Sequence, residues 1–138
     1  MSKARAAYDE LCAWTLGLRD TEFVHQHVVD AWMAQTADEK TKPIGLTFAL
    51  VGLYLHLERG FAGREVQLAH MRLGRRKEKW PTFPLPRDRG ALGAADALAA
   101  APGPDRVRAI DAWCASVWSS FQPSHAAVAE WLRVRGIS

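Results

Sequence analysis

Apolar residues recur every three to four positions along nearly the whole chain, and no segment alternates polar with apolar as a half-buried strand does. A chain with that single period hides its apolar stripes by packing helix on helix, so the sequence predicts an all-α, compact helical bundle. Helices are expected over 2–18, 21–35, 43–57 and 62–79, with a short alanine-rich one over 92–100. A fifth long helix begins near 105, and a last one restarts at Pro123-Ser124. Five to six helices in a single domain, 1–138, follow from this pattern. Between the fourth helix and the alanine-rich one, Trp80-Pro81-Thr82-Phe83-Pro84-Leu85-Pro86 cannot be helical. Its three prolines remove donors and force extended backbone, which predicts a Pro-rich strap across the bundle.

Local punctuation agrees with the period. Asp20 is placed to cap the second helix, and Pro43 opens the third at a position where its missing N–H does no harm. Residues 44–57 are apolar on nearly every face, which marks a central helix. Gly45 and Gly52, seven residues apart, share a stripe where a neighbouring helix can approach closely. Six tryptophans in 138 residues are many, and such aromatics usually anchor a core. Trp32, Leu53, Trp113, Val117 and Trp118 are the expected core residues.

The composition excludes several classes. The longest apolar stretch, 43–57, is too short and too polar at its end for a membrane span, so no membrane is expected. No apolar leader follows Ser2-Lys3-Ala4-Arg5, and Cys12 and Cys114 each sit among apolar neighbours. A cytoplasmic protein with two reduced core thiols is therefore expected. The net charge of +3 gathers in the run 72–79 and at Arg133 and Arg135. No nucleic-acid motif accompanies these cations, so they read as solvated helix ends, and no nucleic-acid partner is expected.

The chemistry-bearing residues are histidines and acids within the helices. On a helical wheel of the second helix, centred on Val24, Val28 and Trp32, His25 faces inward. His27 falls on the flank, and Gln26 and Asp30 are surface neighbours four residues apart. His70 lies in the stripe of Val66, Ala69 and Leu73, while His56 and Glu58 end the central helix. His125, after Ser124, reads as a surface residue at a helix start. Buried imidazoles need partners, and several meeting in a bundle core would make a ligand site. The expected site is thus a metal-binding enzyme centre with His25, His56, His70 and Glu58 as ligands. Glu58 and Asp30 would serve as catalytic acid–base groups, and a divalent Zn, Ni or Fe as cofactor. The alternatives are metal-free acid–base chemistry by a His25–Asp30 or His56–Glu58 pair, and a non-catalytic helical module. That module would bind a small-molecule ligand, a partner protein or a second copy in a homodimer. No HExxH, CxxC, Gly-rich phosphate loop or GxSxG is present.

The segments His25-Gln26-His27-Val28-Val29-Asp30-Ala31, Gln35-Thr36-Ala37, Leu57-Glu58-Arg59-Gly60 and Ala112-Trp113-Cys114-Ala115-Ser116-Val117-Trp118 resemble a bacterial family of short, all-helical proteins of unknown function. That resemblance covers nearly the whole chain, and the shared elements are His25, Gln26, Asp30, Glu58, Arg59 and Gly60. The position of His56 can be apolar in the family. No activity follows from it. The architecture is also similar to helical bundles that hold a metal on three histidines in bacterial thiol transferases and stress proteins, which implies ligands from separate helices.

Overall fold

The computed structural model describes residues 2–137, and among them there are helices and no strand. The elements are α1 (Lys3–Gly17), α2 (His25–Thr36), α3 (Pro43–Arg59), α4 (Gly63–Gly74), α5 (Ala94–Ala99), α6 (Pro104–Ser120) and α7 (His125–Val134). A single 3₁₀ turn, Gln122–Ser124, joins the last two. Six of these helices exceed two turns and α5 is a short bridge, in keeping with the expected bundle. No helix of the described residues is long and apolar enough to cross a membrane.

α3 is the central element, with Leu50, Leu53 and Leu55 sealed from solvent. α2 packs along it and touches α1, α4 and α6 as well. Trp113, Val117 and Trp118 of α6 are buried, as expected, together with Leu53. Trp32 is only half-buried; it stacks face to face on Tyr8 of α1, with ring centroids 4.5 Å apart.

Two boundaries differ from the sequence reading. α2 begins at His25, because Phe23 adopts a left-handed φ of 57° that no helix accommodates. Asp20 is not the helix cap, a place taken by Val24, but its carboxylate accepts the Val24 N–H at 3.0 Å and organises the loop before α2. That loop lies against the first turn of α4, where Glu22 C=O accepts the Arg64 N–H at 2.8 Å. Gly63 is required there, since a methyl group would sit 1.9 Å from the Phe23 carbonyl oxygen. α4 in turn ends at Gly74 rather than reaching Lys79.

The Pro-rich segment does cross the bundle as a strap. Trp80 packs edge-on against Phe48 of α3 and beside Trp131 of α7. Further along, Arg89 donates to the carbonyls of Ala34, Gln35 and Pro86. Gln35 reciprocates: its amide donates to the Leu92 and Arg89 carbonyls while its oxygen accepts the Trp113 indole N–H at 3.0 Å. These bonds tie the strap to the open C-terminal end of α2, whose last carbonyls have no helical partner.

The tightest packing in the molecule is α2 on α3. Asp30 is fully enclosed, and a methyl group at Gly52 would sit 1.8 Å from its Oδ2. The anticipated close approach along the glycine stripe is real at Gly52. At Gly45 a methyl group would meet only Thr41 and Met33 carbons at 3.7 and 3.8 Å. The two glycines should therefore respond oppositely to alanine. Gly52→Ala should destabilise by about 1–3 kcal/mol through overpacking. Gly45→Ala should stabilise by about 0.5–1 kcal/mol, as an ordinary helix-interior glycine does. Urea unfolding of the two variants beside the parent checks both signs.

Candidate functional site

The anticipated ligands each find a separate partner. His25 places Nδ1 2.9 Å from the Thr15 hydroxyl on α1. That hydroxyl donates to the Leu11 and Cys12 carbonyls, so the imidazole N–H is the donor to Thr15. His70 donates Nε2–H to the Phe48 carbonyl at 2.8 Å and lies flat on the Phe48 ring. Burial pushes His70 down to about 4, against the opposing pull of that carbonyl. Glu58, exposed at the end of α3, accepts the Trp118 indole N–H at 2.6 Å. His125 is no free surface residue: it stacks on Trp118 at 3.8 Å, its Nε2 facing the Trp118 carbonyl and its Nδ1 3.9 Å from Glu58.

No group of three or more His, Cys, Asp or Glu among the described residues could hold a metal ion. The expected metal set of His25, His56, His70 and Glu58 is therefore overturned, and with it the metal-binding enzyme. The physical reason is that these side chains lie apart, His25 against α1, His70 on the Phe48 carbonyl of α3, His56 on Asp111 of α6 and Glu58 beside Trp118, so they do not converge on one ion.

Asp30 and Gln26 are neighbours as anticipated, with Gln26 Nε2 donating to Asp30 Oδ1 at 3.1 Å. Asp30 lies inside rather than on the surface, and Gln26 is half-buried. Asp30 Oδ2 has no hydrogen-bond partner, and the Gly52 Cα it presses against offers only a weak C–H donor. Burial drives the carboxyl well above its ordinary range, only partly offset by Gln26, and so favours the neutral acid.

What the structure does bring together is a polar cleft of about 210 Å³ between α2, α3, α6 and the loop before α4. Its walls include Val24, His27, His56, Phe61, Val107 and Asp111, with Glu22 at the rim. His56 sits between two acceptors: Nδ1 is 2.9 Å from the Phe61 carbonyl and Nε2 is 2.8 Å from Asp111 Oδ1. Only the doubly protonated ring satisfies both. Burial lowers the pKa of His56, yet the Asp111 and Phe61 hydrogen bonds outweigh it and the net shift is upward. Asp111, half-exposed, supplies the balancing charge.

His27 lies face to face on His56, with centroids 3.5 Å apart and planes within 17°. It is 4% exposed, and among the described residues no side chain or carbonyl hydrogen-bonds its ring. Burial first, and the neighbouring His56 charge second, push it down to about 3, so it stays neutral across the physiological range. The cleft thus pairs a ring that Asp111 and the Phe61 carbonyl hold toward its protonated form with an uncharged imidazole whose nitrogens are free. His56 has no spare nitrogen and so is neither base nor ligand. His27 is the group that faces outward chemically.

The wheel for α2 was turned too far toward its bulky residues. Val24, Val28 and Trp32 carry the hydrophobicity, but the buried face spans Val28, His27, Asp30, Ala31 and Ala34 and leaves Trp32 half-buried. That rotation exchanges His25 and His27. Asp111 was missed altogether, although it stands four residues after Val107 and three before Cys114 on the apolar stripe of α6.

The buried groups set a pH dependence. His27 and His70 are depressed in the fold and return to their ordinary range when unfolded, so the unfolded chain binds more protons below about pH 6.5. The contribution of these two rings to stability should fall as pH drops from about 6.5 toward 4. Asp30 has the opposite sign: its raised folded pKa means that stability is lost as pH rises above its unfolded value of about 3.8. Asp30→Asn should consequently gain stability relative to the parent as pH rises from about 4 to 8. Chemical denaturation at several pH values checks both; a flat difference for Asp30→Asn would show that the carboxyl ionises in place.

No curated protein matches this chain, and no solved structure does, so the likeness to three-histidine metal bundles has neither ligands nor a structural counterpart behind it. A family model described as a family of unknown function (DUF5946) matches residues 4–122, and it is to this family that the chain belongs.

Proposed function

We propose that this domain is a small-molecule-binding helical module whose recognition cleft is the one lined by His27, His56 and Asp111. The observation that carries the reading is His27: a buried, neutral imidazole with unengaged nitrogens, facing a cleft rather than sealed in the core. A polar group in that position costs stability unless something completes its hydrogen bonds, and a ligand does so when bound.

The walls define the ligand. A neutral imidazole offers one acceptor and one donor, and the free Asp111 oxygen and Glu22 add acceptors at the mouth. Val24, Val107 and Phe61 accommodate a short apolar body. At about 210 Å³ the cleft lies below the roughly 300–1,000 Å³ typical of drug-sized sites. A small amine, amide or alcohol fits this description. His56 acts by holding its partner ring in place and by keeping it neutral, since a second cation stacked on the first is disfavoured.

Fragment binding followed by NMR of the histidine ring signals tests the reading. Small hydrogen-bond donors should shift the His27 and His56 signals together. His27→Phe, which keeps an aromatic ring on His56, should weaken those fragments about tenfold or more, the worth of one buried hydrogen bond. Affinity should be level between about pH 5 and 7, because His27 does not titrate there. Fragments that bind the variant as well as the parent, or a library that leaves both rings unmoved, would refute the proposal.

A further inference from the structure

α4 carries a second feature, independent of the cleft. Its buried face is Val66, Ala69 and Leu73. On the opposite side, spaced by four, three and four residues, run Arg64, Leu68, Met71 and Arg75, which therefore fall on one stripe. Leu68 and Met71 are 51% and 52% exposed, two adjacent large apolar side chains at the crest of a convex ridge. Arg72 flanks them, and the chain beyond α4 continues with Lys77 and Lys79, all exposed.

The charge here is one-sided. Arg76 is taken up by Glu78, which also holds Arg135. Arg64 reaches Gln67 through Nη1. Arg72, Arg75, Lys77 and Lys79 form no ion pair among the described residues. Glu78, between the two lysines, is engaged by Arg76 and Arg135, and Glu65, in the first turn of α4, accepts the Ala62 N–H at 2.9 Å. The ridge is thus apolar at its crest, with Arg64 and Arg75 at its two ends, Arg72 on one flank and the two lysines beyond its C-terminal end.

We infer that this ridge docks the domain on an anionic lipid surface. Leu68 and Met71 would enter the headgroup boundary while Arg64, Arg72, Arg75 and the two lysines meet the lipid phosphates. A convex crest of two aliphatic side chains suits a deformable, flat surface with an apolar layer beneath its charges. Nucleic acid would meet the same cations but set Leu68 and Met71 against phosphates, with no aromatic side chain on the stripe to stack on a base. Two apolar anchors give a reversible attachment, well short of a spanning helix.

The experiment is co-sedimentation of the full chain with vesicles of phosphatidylcholine alone and of phosphatidylcholine mixed with phosphatidylglycerol. Binding to the anionic vesicles should exceed that to the neutral ones by about tenfold or more, and should weaken as salt shortens the Debye length. Leu68→Ser with Met71→Ser, and separately Arg72→Gln with Arg75→Gln, should each lower it about tenfold. All four side chains are exposed, so circular dichroism should show an unchanged fold. Equal binding to both vesicle types, absence of binding, or binding that survives both double variants overturns the inference. So does duplex DNA binding that the arginine pair abolishes and the Leu68/Met71 pair leaves intact, which would make the ridge a nucleic-acid surface.

Discussion

The contact of Asp30 with Gly52 fixes how α2 lies on α3, and most of the molecule is arranged around that choice. A carboxyl with one oxygen unpartnered inside a bundle is costly, by roughly 1–3 kcal/mol even when it is neutral. It persists because the surrounding packing leaves it nowhere else to go: Gln26 holds one oxygen and the α3 backbone closes over the other. With α2 seated at this depth, Ala31 and Ala34 are sealed against their neighbours and the C-terminal end of α2 meets the strap. The same seating brings His27, three residues before Asp30, directly over His56 on α3. The stacked histidines are a consequence of the helix spacing that Gly52 permits.

Two rings of the same residue type therefore occupy opposite ends of the histidine scale within one contact. His56 has acceptors on both sides that shift it toward the protonated form; His27 has burial and the neighbouring imidazole, which shift it the other way. Environment separates them, as it does wherever a pair of titratable groups divides its roles. The remaining histidines are settled in a plainer way. His25 meets a hydroxyl, His70 a carbonyl and His125 an indole face, each closing a gap between two helices. In a domain of this size such polar contacts decide which helix faces meet, while the tryptophans and leucines supply the bulk of the burial.

How much of this was legible in the sequence follows from what each signal measures. The 3.6-residue period reports apolar surface, so the helices, the central position of α3 and the proline strap could all be read from it. The start of α2 could not, because the left-handed Phe23 is imposed by the fit of its loop against Gly63, a long-range contact. The facing of α2 was misjudged for a related reason. Hydrophobicity points to the valines and Trp32, whereas close helix packing selects the alanines, which contribute little to any apolar scale. The site suffered most. Its key pair, His56 with Asp111, joins residues 55 apart, and nothing in the local pattern of either names the other. The position of Asp111 on an otherwise apolar stripe was the available hint.

The expectation of a metal centre went wrong at an identifiable step. An inward histidine was taken as a claim on an external ligand, and three of them as a shared one. In a packed bundle, however, every helix surface also presents hydroxyls, aromatic faces and, near its ends, unpaired carbonyls, and an imidazole engaged by one of these is held where that partner lies, here too far from the other imidazoles to share an ion. Counting histidines measures demand for partners; it says nothing of local supply. His27 is the instructive exception, since the segment around it offers a ring to stack on but no acceptor or donor for its nitrogens. That distinction, between a buried polar group that the fold completes and one that it leaves open toward a cleft, separates a structural histidine from a candidate for recognition. It is a property of the folded neighbourhood, and in this domain it selects a residue that the helical wheel had placed on the flank.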